Sequence, residues 1–369
     1  MTGAASADKP SSADKPFSAN KPASDDRPAS ADNATSDDKA ASGDKAASGD
    51  KAVTKGTQPR VAVVGGYGTA LVFAVDRSPD RGETVLARSL FADHGGKGSN
   101  QAVAARRLGA EVSLLTAVGD DAFGESGRRL WRDEGIDAST VRTGHLPTMT
   151  GAILVETDGD NRIVVSMGAL SELDASDVDA FVEHIAGADV CAVSLEVPVA
   201  VAGRALALAK QLGALALLNP APAVGVPDAL IAQLDVIVPN RSEAELLTGR
   251  NPGAEPDVLV DALRERTPAG IALTLGAEGV LVDSGGSRRL VPAVAPHAVV
   301  DTTGAGDSFI GALATALACG LGMGAAAEVA AAAASYSVGM PSVVPSLPRL
   351  ADLPPRLRDR LLPGGVQRQ

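Results

Sequence analysis

Downstream of Arg60 the hydrophobic positions fall into two arrangements, and each predicts a different kind of sheet. The runs VAVVG (61–65), VSLLTAVG (112–119), VCAVSLE (190–196), ALALLNP (214–220), DVIVPN (235–240) and IALTLG (271–276) are apolar almost without interruption. Continuous rather than alternating hydrophobicity marks strands covered on both faces, the condition of a parallel sheet between helices. Segments with helical spacing lie between most of these runs. Two of them, NQAVAARRLG (100–109) and VAVAGRALALAKQLG (199–213), end in Gly109 and Gly213, suited to the left-handed turn that closes a helix. The pattern predicts an α/β fold, a three-layer α/β/α body around a central, mostly parallel sheet.

Four further runs, LVFAVD (71–76), TVLARSLFAD (84–93), TGAILVET (150–157) and RIVVSMG (162–168), have strand propensity with no helix between the members of each pair. They suit two hairpins, the second turning at Asp158-Gly159-Asp160-Asn161. The expectation is a small β-sheet, formed by about 67–94 and 148–168, inserted into the body from two places and serving as a lid over a ligand.

Residues 1–58 repeat variations on Ala-Ser-Ala-Asp-Lys-Pro, with Pro10, Pro16, Pro22 and Pro28 interrupting any helix. Such a segment buries too little surface to offset its conformational entropy, so a disordered low-complexity tail is expected ahead of a folded domain at 59–366. The chain of 369 residues is 45% hydrophobic, enough for a large core without disulfides, and its 2% aromatic content leaves packing to Ala, Val and Leu. A net charge of -12 argues against a nucleic-acid partner. Cys191 and Cys319 lie in apolar runs without metal-ligand spacing and read as reduced core residues of a cytoplasmic protein. No uninterrupted apolar stretch has membrane-spanning length, and the chain start lacks a basic segment followed by an apolar block, so neither a membrane partner nor secretion is expected.

The densest chemistry lies at Asp301-Thr302-Thr303-Gly304-Ala305-Gly306-Asp307, which runs directly into the small-residue helix SFIGALATALACG. Unpaired N–H groups in the first turn of such a helix form an anion site, and Asp307 beside them is a candidate general base for phosphoryl transfer. A Gly-rich helix cap with no ligand is the alternative. His94-Gly95-Gly96-Lys97-Gly98-Ser99-Asn100 combines backbone that can approach a ligand, a cation, and an amide suited to a sugar hydroxyl. His94 itself reads as a surface loop residue. Asn240 and Glu243 are placed to orient a hydrated Mg²⁺, unless the segment is only a helix start capped by Ser242 and Glu245. The opening VAVVGGYG is not a dinucleotide fingerprint, because Gly66 and Gly68 are followed by Leu71 and strand-like residues; a Walker A loop is also absent.

Strand–GGKGSNQA, LNPAPA (218–223), PNRSEAELLTG (239–249), TLGAEGV (274–280) and DTTGAGDSFIGAL (301–313), in that order, resemble the ribokinase (PfkB-type carbohydrate kinase) family over about residues 60–350. The resemblance implies a ribokinase-like fold and an ATP-dependent sugar kinase that uses Mg²⁺ and K⁺, with ribose the leading substrate. By the same resemblance Asp307 is the base, and Gly304, Ala305 and Gly306 supply the backbone anion hole, with Gly306 also touching nucleotide. Gly96, Lys97 and Asn100 contact sugar, Glu196 forms its wall, and Asn240 with Glu243 serves the metal-phosphate side. Thr274, Gly276, Ala277, Glu278 and Gly279 border the nucleotide, and Asp301, Thr303 and Ser346 hold the monovalent cation. A homodimer through the lid is implied as well.

Three positions depart from the family pattern. Gly68 and Ala70 stand where an Asn-x-Asp pair contacts sugar hydroxyls, and Gly168-Ala169-Leu170 replaces a motif that reads GAN. The alternatives are therefore a kinase for another sugar or a nucleoside, or a non-catalytic sugar-binding regulatory protein. An apolar wall disfavours buried hydroxyls.

Overall fold

The computed structural model describes residues 58–296 and 298–362. The expectation for the tail thus lies outside the described residues except at Gln58, whose side-chain amide donates to the Gly109 carbonyl at 3.0 Å. Residues 363–366, at the end of the expected domain, are also outside them.

The eight-stranded sheet runs in the order Ser287–Val291, Val280–Ser284, Gly270–Thr274, Val236–Ile237, Leu215–Asn219, Val190–Ser194, Arg60–Val64 and Glu111–Leu115. From Gly270–Thr274 to Glu111–Leu115 all neighbours are parallel, and the first two strands add on antiparallel. Strand Arg60–Val64 shows why the apolar runs are continuous. Val61 and Val63 enter a core shared with the helices Lys97–Arg107, Ala305–Ala318 and Met323–Ser337, whereas Ala62 and Val64 enter another shared with Val199–Leu212 and Pro256–Arg264. Three layers follow from that division.

The other runs form the expected second sheet, in the order Ser89–Gly95, Gly68–Ala74, Met149–Val155, Asn161–Ser166. Two antiparallel hairpins are joined by parallel pairing of Gly68–Ala74 with Met149–Val155. Several boundaries differ from the sequence expectation. The strand expected from Thr84 begins only at Ser89, and VSLLTAVG divides, with Ala117–Gly119 leaving the main sheet to pair with Arg142–Gly144. The hairpin Val280–Ser284 and Ser287–Val291, turning at Gly285 (φ 60°) and Gly286 (φ 76°), was not anticipated.

Strand Arg60–Val64 has Glu111–Leu115 on one side and Val190–Ser194 on the other, so the order reverses there and a crevice opens beyond the carboxyl ends of the strands. Glycine makes the crevice usable. A Cβ on Gly98 would lie 2.4 Å from the Gly65 carbonyl carbon, so only paired glycines let the first helix start against the end of the first strand. The helix Ala305–Ala318 approaches as closely, since a Cβ on Gly311 would meet the Ala104 methyl at 2.5 Å. The Arg107 guanidinium then fastens the first helix, donating to Glu134 at 2.6 Å and to the Val344 and Leu347 carbonyls.

Candidate active site

The carboxyl ends of the strands Leu215–Asn219, Val236–Ile237 and Gly270–Thr274 meet the N-termini of the helices Lys97–Arg107, Arg241–Thr248 and Ala305–Ala318 around one cleft open to solvent. Lys97, Asn240, Glu243, Thr274, Gly304, Gly306 and Asp307 line it, all foreseen from the sequence. Asn219, Ala221, Val238, Phe309 and Ile310 line it as well and were not.

Asp307 is 8% exposed, and both of its oxygens are engaged: Oδ2 accepts from the Asn100 side-chain amide at 2.8 Å and Oδ1 from that of Gln101 at 3.1 Å. Gln101 also donates to Asn219 Oδ1 at 3.2 Å, and Asn219 donates to the Val238 carbonyl at 3.1 Å. This chain of amides fixes the carboxylate between two helices. Gln101 is the residue that sequence reading passed over; its only signal was adjacency to Asn100. Asn100 Oδ1 and Gln101 Oε1 are buried acceptors with no hydrogen-bond partner, a costly state that a donor from a bound ligand would relieve at Asn100.

Four charges share this volume. Burial holds Asp307 above the usual carboxylate range, against the opposing pull of Lys97, Asn100 and Gln101. The Asp307 carboxylate raises Lys97, with Glu196 and Glu243 adding to it. Burial likewise raises Glu243. Burial, then the neighbouring Asp307 charge, pushes Glu196 up to about 7, although it accepts from the Lys97 backbone N–H at 2.6 Å. A carboxyl raised in this way binds a proton more tightly folded than unfolded. Its stabilising effect is full below the ordinary value of 4.5 and is lost as pH rises through about 7. Thermal melts between pH 5 and 8 are expected to show the wild-type Tm falling with pH more steeply than that of Glu196→Gln; parallel curves would contradict this assignment.

In the loop before Asp307, Gly304 has φ 81° and caps the helix that starts at Ala305. The Ala305 N–H is turned to the Thr302 carbonyl at 3.3 Å, while Gly306 and Asp307 N–H have no acceptor among the described residues. Gly304, Gly306 and Asp307 border the cleft, but Ala305 does not. Asn240 and Glu243 are themselves the capping box of the helix Arg241–Thr248: Asn240 Oδ1 accepts from Glu243 N at 2.8 Å and Glu243 Oε2 from Asn240 N at 2.9 Å. The cap expected at Ser242 and Glu245 is therefore displaced by two residues, because the helix starts at Arg241. The same two side chains cap the helix and face the cleft.

Other foreseen residues do not line the cleft. Gly96 (φ 92°) is wedged against Tyr67 and Gly66, where a Cβ would lie 2.5 Å from the Tyr67 Cα. Gly276, Ala277 and Glu278 form a single 3-10 turn next to Thr274, followed by Gly279 at φ 107°, and Glu278 pairs with Arg241 at 3.1 Å. Asp301 accepts from Thr303 N at 2.8 Å and from Ser342 N at 3.2 Å, while Ser346 Oγ donates to the Val343 carbonyl at 2.8 Å, its oxygen lone pairs remaining free for a cation. Among the described residues no three His, Cys, Asp or Glu side chains gather as a metal site. His94 is not a surface loop residue: it lies in the strand Ser89–Gly95 of the second sheet, half-buried, with Nδ1 3.0 Å from the Tyr67 hydroxyl. Leu170 does not face the cleft either, being fully buried in the core. Gly68 has no room for a side chain, since a Cβ there would lie 2.5 Å from the Met149 carbonyl oxygen.

Residues 58–350 match the model of the pfkB family carbohydrate kinases. This chain belongs to that family. It is 35% identical over 261 residues to the ribokinase of Haemophilus influenzae, spanning 70% of this chain and 85% of that one. It is 36% identical over 261 residues to the deoxyribokinase of Salmonella typhi, spanning 69% and 84%. A solved structure of Arabidopsis thaliana ribokinase complexed with ribose and ATP superposes with a TM-score of 0.74 at 26% identity, covering 83% of this chain and 99% of that chain. The ribokinase-like fold is thus shared, and a pfkB kinase with an occupied sugar and nucleotide site has the same architecture. No described helix is long and apolar enough to cross a membrane.

Proposed function

We propose that this protein is an ATP-dependent sugar kinase that transfers the γ-phosphoryl group to a hydroxyl of ribose, giving ribose 5-phosphate. The observation that carries this reading is the Asp307 carboxylate, desolvated and held by two amides beside the free N–H groups of Gly306 and Asp307. Asp307 takes the proton of the attacking hydroxyl as the bond to phosphorus forms. Gly304, Gly306 and the Asp307 N–H receive the equatorial oxygens of the migrating group, with Ala305 shaping their turn. In such transfers the protein mainly positions reactants and neutralises charge.

Lys97 is the cation within reach of the developing charge, and Gly96, Asn100 and Glu196 bound the sugar. Thr274 and residues 276–279 border the nucleotide. Mg²⁺ accepts few protein ligands and keeps its waters, so Glu243 and Asn240 would hold it through its hydrated shell, where it would supply charge neutralisation to the phosphates. Asp301, the Thr303 carbonyl and Ser346 are the proposed K⁺ ligands, close enough to the anion loop to fix its shape. We place the protein in the cytoplasm, with no nucleic-acid or membrane partner. A second copy is the proposed cover of the lid, where Leu90, Phe91, Ile163, Val164 and Val165 are all more than half exposed.

A panel of pentoses and nucleosides with Mg-ATP, read as ADP release with and without K⁺, tests the whole reading. Ribose is expected to give the highest kcat/KM and K⁺ to raise it. Deoxyribose as best substrate would transfer the assignment to the activity named for the Salmonella relative. Sugar-induced thermal stabilisation without turnover on any acceptor would instead make the chain a non-catalytic sugar-binding protein.

A further inference from the structure

Asp93 has no part in the chemistry described so far, yet its position is suited to a ligand. It lies in the lid strand Ser89–Gly95, three residues before Gly96, directly across from Ala70 in the antiparallel register. Paired residues of neighbouring strands share a sheet face. Gly151 follows Ala70 on that face in the next strand, and Gly95 and Gly68 form the adjoining pair. Space beside Asp93 opens at two of these positions, since a Cβ on Gly95 would have no neighbour nearer than 3.6 Å and one on Gly151 none nearer than 3.9 Å, whereas at Gly68 the face is closed by Met149. The face also has a direction. His94, on the opposite face, turns to Tyr67, whereas Asp93 Oδ2 accepts from the Ser342 hydroxyl, and Ser342 N donates to Asp301 at the start of the anion loop.

We infer that Asp93 is a sugar-binding residue of this kinase, its carboxylate accepting a hydroxyl of the acceptor in the hollow bounded by Ala70, Gly95 and Gly151. A carboxylate has about four lone-pair sites. In Asp93 one is taken by Ser342 and another by the His94 N–H at 2.8 Å, which leaves acceptor capacity for a ligand. The carboxylate missing at position 70 is supplied from the next strand on the same face, so its approach to the sugar is from the side of Ser342. The acceptor would be oriented differently, and the small residues opposite leave space for a bulkier or modified ring.

The inference rests on the sugar-kinase reading, and the two are tested separately. Wild-type turnover on the acceptor panel tests the kinase; ratios of variant to wild type on the best acceptor test Asp93. Asp93→Ala is expected to raise KM for that acceptor ten- to over a hundredfold, the usual worth of a hydrogen bond to a charged group, with kcat changed less than threefold and KM for ATP unchanged. Adding Ala70→Asp to Asp93→Ala should recover at least tenfold in KM. Asp93→Asn, which preserves the Ser342 contact, should resemble Asp93→Ala, while Ser342→Ala should leave sugar KM within threefold of wild type. Unchanged sugar KM in Asp93→Ala overturns the inference. So does an equal loss in Ser342→Ala and Asp93→Ala with no rescue by Ala70→Asp, which would make the pair a clasp between lid and body.

Discussion

Asp307→Asn is expected to lower kcat by about 10²–10⁴-fold, the range for loss of a general base. The substitution preserves size, and a side-chain oxygen can still accept from Asn100 or Gln101, so the fold should persist. What disappears is the proton acceptor, whose basicity burial has raised. Lys97 also loses the carboxylate that most favours its charge, although Glu196 and Glu243 remain near it. KM for nucleotide should therefore change far less than kcat. Single-turnover kinetics with saturating ATP and sugar, beside a melting curve, check both halves. A variant as fast as wild type would remove the base from the mechanism and with it the proposed function.

Gly304→Ala is expected to cost about 10²–10³-fold in kcat, the scale for disabling one anion-hole donor. Two features of the loop oppose a methyl group there. The residue has φ 81°, a region where a Cβ costs about 1–2 kcal/mol, and that Cβ would lie 2.6 Å from Val343 Cγ1. Relief requires a shift of the turn, which in the proposed mechanism presents the Gly306 and Asp307 N–H groups to the phosphoryl oxygens. Gly306→Ala is the useful contrast. Its Cβ meets nothing within 4 Å and its backbone is helical, so the variant should melt like wild type and reveal only the effect of a methyl group in the cleft. Denaturation midpoints with kcat for both variants separate loop geometry from occlusion; unchanged kcat in Gly304→Ala would remove the loop from phosphoryl binding.

The layered body was legible because its strands are buried on both faces, which writes the parallel sheet into the sequence as unbroken apolar runs. The small second sheet was legible for the opposite reason, as paired runs with no helix between them. What escaped was set by pairing rather than by local pattern. Thr84–Arg88 has strand composition without a strand partner. Gln101 shows the same limit at the site, since nothing in its neighbourhood says that its amide will reach 206 positions along the chain to Asp307.

The order of motifs determined the family, the candidate base, the anion loop and the cation beside it, because each depends on residue types at short spacing. Tertiary structure alone decided which of those groups share one cleft, that burial raises Asp307, Glu196 and Glu243, and that Asn240 and Glu243 cap a helix while facing the cleft. It also decided that Gly68 has no room for a side chain and that Asp93 lies across from Ala70. The physical reason is range: helix caps, turns and strand burial are set within a few residues, whereas desolvation and hydrogen bonding in the site arise between segments that only the completed fold brings together.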